Sequence, residues 1–228
     1  MKTEKPAERE PYLKRASKAI AAGLRQPRMG LRWVLLVSGV TLIGICVANL
    51  KLVGFGTDPM STVTFGLADK TGISMGTWHL TLMMLMFIPV LILDPGRIGI
   101  GSLLNMGCIG YISDATRWVT ARLMAGGELG MPARIIIFLA SVAVFLVGAA
   151  FYTAADLGYA SYDAIPILLA DHAKKLRFHG IRMLWDLSFV IMGFLLGSEI
   201  GLTTLLLGFC LGPAISFIAG RLTKVLEA

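Results

Sequence analysis

Apolar positions along this chain fall into long blocks rather than the narrow stripes of helices that face water on one side. Positions 33–53, 78–93, 99–118, 135–157, 181–197 and 202–219 carry few charges. A helix needs about 20 apolar residues to cross a hydrocarbon layer of roughly 30 Å, so the longest blocks predict membrane-spanning helices. Two shorter blocks, 58–70 and 161–173, lie after the first and fourth of these. At 1.5 Å per residue, a 13-residue helix reaches roughly 20 Å and falls short of the layer.

The blocks repeat. Shifting the sequence by 102 positions sets Ile98-Gly99-Ile100-Gly101-Ser102-Leu103-Leu104 on Ile200-Gly201-Leu202-Thr203-Thr204-Leu205-Leu206, then Cys108 on Cys210 and Gly110 on Gly212. Upstream, Gly56 meets Gly158 and Leu67-Ala68-Asp69 meets Leu169-Ala170-Asp171. One offset holding two separate blocks points to duplication of a unit of four helical elements. The expected fold class is an all-α membrane protein of two fused homologous repeats, the second element of each short or broken. Its parts are a basic tail at 1–32, repeat 1 at 33–130 and repeat 2 at 131–228.

Whether the short elements cross decides the symmetry. Four crossings per half give parallel repeats, whereas three crossings with a re-entrant element give inverted ones. With every element crossing, ten later basic residues share the side of the N-terminal tail, and only Lys51 and Arg97 lie opposite. Re-entrant short elements reduce that asymmetry to seven against five. The positive-inside rule therefore favours eight segments, with both termini cytoplasmic.

Composition agrees. The chain is 56% hydrophobic and 15% charged, against about a quarter charged for a soluble domain. The formal charge of +7 could suggest nucleic acid, but nine of the 21 basic residues precede position 33 and most others lie between apolar blocks. That placement fits a membrane surface, and no nucleic-acid partner is expected. Within the tail, Leu13, Ala16, Ile20 and Leu24 recur at helical spacing among Lys14, Arg15, Lys18 and Arg25, the pattern of an interfacial helix on an anionic leaflet. A disordered basic tail is the alternative. Cys46, Cys108 and Cys210 have no partner at metal spacing and read as packing residues. Met83, Met84 and Met86 read as core filling, so neither metal nor cofactor is expected.

Chemistry concentrates where the helices break. In Gly54-Phe55-Gly56-Thr57-Asp58-Pro59-Met60-Ser61-Thr62 the glycines permit a break, Pro59 suits the first turn of a new helix, and Asp58 is its N-cap. Gly158-Tyr159-Ala160-Ser161-Tyr162-Asp163-Ala164 offers a second break. Broken helices at matching positions of two halves point to a transporter's solute site. Asp58, Ser61, Tyr162 and Asp163 are therefore candidate solute contacts, with ordinary capping in loops as the alternative. Free N–H groups there suit an anionic or zwitterionic solute.

Asp186 sits in an apolar helix with Arg182 one turn earlier, so the two can pair. They read either as a structural ion pair or as the coupling or gating element. Asn105 is a lone amide in a helix, suited to interhelical bonding or to solute contact. The chain has no P-loop, HExxH, GxSxG or Cys-x-x-Cys pattern, and no catalytic residue is expected.

The break at 54–62, Thr71-Gly72-Ile73-Ser74-Met75-Gly76-Thr77-Trp78, the segment 98–105, Arg182 with Asp186, and 200–205 with Gly212-Pro213 resemble the bacterial YczE/YyaS/YitT membrane proteins, most closely the YczE branch. The likeness spans about residues 33–223. It implies a multi-pass protein of the bacterial cytoplasmic membrane without naming a substrate. The combined expectation is a small-solute transporter with its site between the repeats, in contact with lipid and able to form homo-oligomers. The rival is a non-transporting membrane protein that organises or regulates a partner.

Overall fold

A computed structural model describes residues 11–124, 127, 129–173, 178–210 and 212–227. The first ten residues and the basic run Lys174, Lys175 and Arg177 lie outside the described residues, as does the Cys210 side chain. The described chain is helical and contains no strand. Its helices are α1 (Tyr12–Gly23), α2 (Met29–Val53), α3 (Pro59–Thr71), α4 (Met75–Leu93), α5 (Ile100–Met124), α6 (Met131–Ala155), α7 (Ser161–His172), α8 (Phe178–Leu195), α9 (Leu202–Leu205) and α10 (Gly212–Glu227). A 3-10 turn at Pro95–Arg97 precedes α5, and a π turn at Leu206–Cys210 joins α9 to α10. Four of these helices, α2, α4, α6 and α8, are long and apolar enough to cross a membrane.

Helices α2 and α6 form the centre, and small residues let their backbones meet. A Cβ added at Gly39 would lie 2.7 Å from the Tyr152 backbone nitrogen, and one at Gly148 3.0 Å from Leu42 Cβ. On another face of α2, a Cβ at Gly44 would lie 2.8 Å from Ile112 of α5. Close approach of this kind is how helices gain dispersion contacts in a medium that gives no hydrophobic drive between them. Leu36, Val47, Ala150 and Ala154 fill the contact and are at most 1% exposed.

Hydrogen bonds at the helix ends fix direction. Arg32, near the start of α2, donates to the carbonyl of Ala155 at the end of α6 (2.9 Å). Arg134, near the start of α6, donates from Nε to the carbonyl of Val53 at the end of α2 (2.8 Å). The two central helices are thus antiparallel, and each supplies a cation to the other's orphan C-terminal carbonyls. Arg28 also donates to the carbonyl of Val225, so both ends of the described chain lie on one face.

The short helices do not traverse the bundle. Lys51 in the last turn of α2 pairs with Asp69 near the end of α3 (3.1 Å), so α3 ends on the face where α2 ended. Lys70 donates to the carbonyl of Leu195 on that same face (3.4 Å). In the other half, Arg97 pairs with Asp171 near the end of α7 (2.6 Å), on the face that holds the termini. The α3 and α7 helices therefore start inside the bundle and emerge on opposite faces. Where the charge count favoured eight crossings, the described helices run through the bundle six times, as α2, α4, α5, α6, α8 and α9 with α10. The reason is length, because helices of 13 and 12 residues span only about 18–20 Å. Two cations that bias the count are engaged locally, Lys70 and Arg134 each on the carbonyl at a helix C-terminus.

The halves interlock at their breaks. Gly101 N–H donates to the Leu157 carbonyl (2.7 Å) and Thr203 N–H to the Phe55 carbonyl (3.0 Å). Gly99 N–H donates to Ser102 Oγ (3.1 Å), and Gly201 N–H to Thr204 Oγ1 (3.4 Å). Each pair is related by the offset that aligns the sequence. The breaks share backbone too: Gly54 and Asp156 cap α2 and α6 at φ 69° and 49°, and Gly56 and Gly158 come next at 87° and 111°.

Part of the tail forms the helix α1: Ala16 is buried and Ile20 packs against the cluster of Val90, Ile98, Ala164 and Leu168, while Leu13 is 73% exposed.

Candidate functional site

A cavity of about 310 Å³ lies where the N-terminal ends of α3 and α7 meet α2, α4, α5, α6, α8 and α10. Every site residue named from the sequence lines it: Asp58, Ser61, Asn105, Tyr162, Asp163, Arg182 and Asp186. Residues from both halves contribute.

On the first-half wall, Asp58 caps α3 through Oδ2, which accepts from the Ser61 N–H (3.0 Å). Its Oδ1 is buried and has no hydrogen-bond partner among the described residues. The α3 backbone is braced from outside, where Ser198 Oγ donates to the Thr62 carbonyl (2.7 Å). Thr62 Oγ1 in turn donates to the Asp58 carbonyl (2.9 Å), which further fixes the cap. His79 and Asn105 stand nearby, 3% and 6% exposed, and both ring nitrogens of His79 and Oδ1 of Asn105 lack partners among the described residues. A buried polar atom left unpaired costs about 1–3 kcal/mol, so such atoms concentrated on one cavity wall call for a bound group or water.

The second-half wall is tied together by ion pairs and hydrogen bonds. Arg182 donates from Nη1 to Asp163 Oδ1 (2.6 Å) and from Nε to Asp186 Oδ2 (3.0 Å). Tyr162 OH donates to Asp186 Oδ1 (2.5 Å), so both oxygens of this 1%-exposed carboxylate are occupied. The guanidinium also lies 5.1 Å from the Tyr162 ring centre, and Phe189 meets that ring edge-on at 4.9 Å. Charge, ring and hydrogen bonds together hold α7's first turn against α8.

The two short helices differ at their starts. The α3 N-terminus is capped by Asp58, whereas the α7 N-cap position, Ala160, offers no side-chain acceptor. Asp163 in the first turn of α7 supplies negative charge there instead. Tyr152 OH donates to the Gly158 carbonyl (3.0 Å), bracing the second break from α6.

Two cavity residues, His79 and Tyr152, and two helix-end cations away from the cavity lining, Arg32 and Arg134, escape a reading of the sequence. His79 stands there as a scattered histidine, and its facing position emerges only once α4 packs against α5 with Gly110 beneath it. Tyr152 lies in an apolar block with no local signal. Arg32 and Arg134 do carry a signal, since the 102-residue offset pairs them, but a count of loop charges hides it. Among the described residues no group of His, Cys, Asp or Glu could hold a metal ion. Cys46 is buried and Cys108 half-buried, both as free thiols.

Comparison with known proteins gives a family without an activity. No solved structure matches the chain. An uncharacterized protein of Haemophilus influenzae is 25% identical over 195 residues, covering 84% of each chain. Residues 30–220, which hold nearly all of α2, every helix from α3 to α9 and much of α10, match a family of unknown function, DUF6198. The chain belongs to that family.

Proposed function

We propose that this protein is a small-solute carrier of the bacterial cytoplasmic membrane, working by rocking two inverted repeats about the central cavity. The observation that carries the reading is the meeting of two oppositely directed re-entrant helices at a cavity lined by unpartnered polar atoms. Helix ends opening at the middle of a bundle are what secondary carriers use to hold a solute while alternating access. The matched end contacts, Arg32 to Ala155 with Arg134 to Val53, and Gly101 to Leu157 with Thr203 to Phe55, support an origin by duplication.

The same reading places repeat 1 at 33–130 and repeat 2 at 131–228, and keeps the chain within the YczE branch. Both termini are assigned to the cytoplasm. Arg25, Arg28, Arg32, Arg221 and Lys224 near their face support this. With α1 beside them, a lipid surface is the expected partner of that face. The role is transport, not catalysis.

Alternating access is testable directly. With Cys46, Cys108 and Cys210 replaced, Ser61→Cys should react with a membrane-impermeant maleimide added to either side of sealed vesicles. Reaction from one side alone, or from neither, would favour the rival in which the chain regulates a partner without moving a solute.

A further inference from the structure

The solute class can be read from which polar groups around the cavity are already engaged, taking the carrier reading as its basis. Three carboxylates, Asp58, Asp163 and Asp186, share the cavity lining with one guanidinium, Arg182. Arg182 gives two of its five N–H donors, one to Asp163 and one to Asp186, and Tyr162 gives its hydroxyl to Asp186. The Ser61 N–H at the start of α3 is taken by Asp58. The one positive charge is therefore already shared by two carboxylates, and the Tyr162 hydroxyl and Ser61 N–H are taken by protein acceptors. The unpartnered atoms are mainly acceptors: Asp58 Oδ1, Asn105 Oδ1, and one nitrogen of a neutral His79 ring, the other being a donor.

From this we infer that the cavity binds a protonated amine, alone or as the cationic end of a small zwitterion, through Asp58 and Asn105. An ammonium group brings three N–H donors and one positive charge, which match the free acceptors and the surplus carboxylate. An anion would meet three carboxylates against one guanidinium whose charge Asp163 and Asp186 already share. The cavity is at the lower end of the range for small-molecule sites, so the solute is small. Met60, Met83 and Phe145 supply an apolar wall for its carbon atoms.

The test uses purified full-length protein in detergent, with thermal stability read against added ethylammonium, glycine, tetramethylammonium and acetate. Ethylammonium, glycine or both should raise the melting temperature, while tetramethylammonium and acetate should not. Tetramethylammonium has the charge without the N–H donors. Asp58→Asn keeps a competent N-cap and so should fold. It should weaken the amine effect about tenfold or more, as expected when a hydrogen bond to a charged group is lost. Asn105→Leu should do the same while leaving the cap untouched. Stabilisation by acetate without the amines overturns the proposal, and so does an amine effect unchanged in both variants. Should Ser61→Cys react from both sides while no amine binds, the solute class fails and the carrier reading stands. Should amines bind while that thiol reacts from one side only, the reverse holds.

Discussion

Asp186 shows how a single buried charge is made tolerable in an apolar helix, and why disturbing it costs stability. Its two oxygens are bound by Tyr162 OH and Arg182 Nε. Removing Asp186 strands part of the guanidinium's charge, whereas removing both partners together leaves an apolar helix face. Asp186→Leu is therefore expected to destabilise the protein more in the wild-type background than in an Arg182→Leu background. A double-mutant cycle in thermal or denaturant unfolding should give a coupling of about 0.5–3 kcal/mol. Equal losses in both backgrounds would mean that the two do not act as a pair. Asp58 makes the complementary case. Asp58→Ala should lose about 1 kcal/mol through the α3 cap, and Asp58→Asn much less, since Asn accepts the same bond from Ser61.

At the scale of elements, the two breaks depend on backbone packed against backbone. A Cβ at Gly99 would collide with the Leu157 carbonyl oxygen, and one at Gly201 with that of Phe55. Backbone cannot swing aside as a side-chain end can. Gly99→Ala and Gly201→Ala should each cost about 1–3 kcal/mol in unfolding measurements. Gly107→Ala, with open space around it, should be neutral or slightly stabilising. Loss of stability at Gly107 and none at Gly99 would contradict the interlock. These contacts also mark what can be read from the sequence. The blocks, the break at Gly54–Asp58 and the cap on Pro59 are legible because capping and length are local physics. The α3 helix runs from Pro59 to Thr71 against a block read as 58–70. Its direction is not legible, because whether a short helix continues or turns back depends on partners far away, such as Asp69 for Lys51 and Thr62 for Ser198. Charge counting cannot resolve it, since Lys70 and Arg134 answer to helix-end carbonyls rather than to sidedness.

For the whole molecule, the two short helices α3 and α7 emerge on opposite faces of the bundle, and both described ends lie on one face. The site residues are recoverable one by one from the sequence, since breaks and intramembrane charges stand out against apolar blocks. Their convergence on one cavity is not, and neither is the difference between its two walls, which is set by packing of α4, α5 and α8. The arrangement makes a sharp topological claim at two loops. Ile73, between α3 and α4, lies on the face away from the termini, while Gly96, between α4 and α5, lies on the face that carries them; both residues are exposed. Single cysteines at these positions, in a background free of the native thiols, can be scored with an impermeant maleimide in sealed, uniformly oriented vesicles. Gly96→Cys should label from the same side as Lys224→Cys, and Ile73→Cys from the opposite side. Ile73→Cys labelling together with the C-terminus, and Gly96→Cys opposite to it, would restore eight crossings and remove the inverted repeats on which the cavity's proposed role depends.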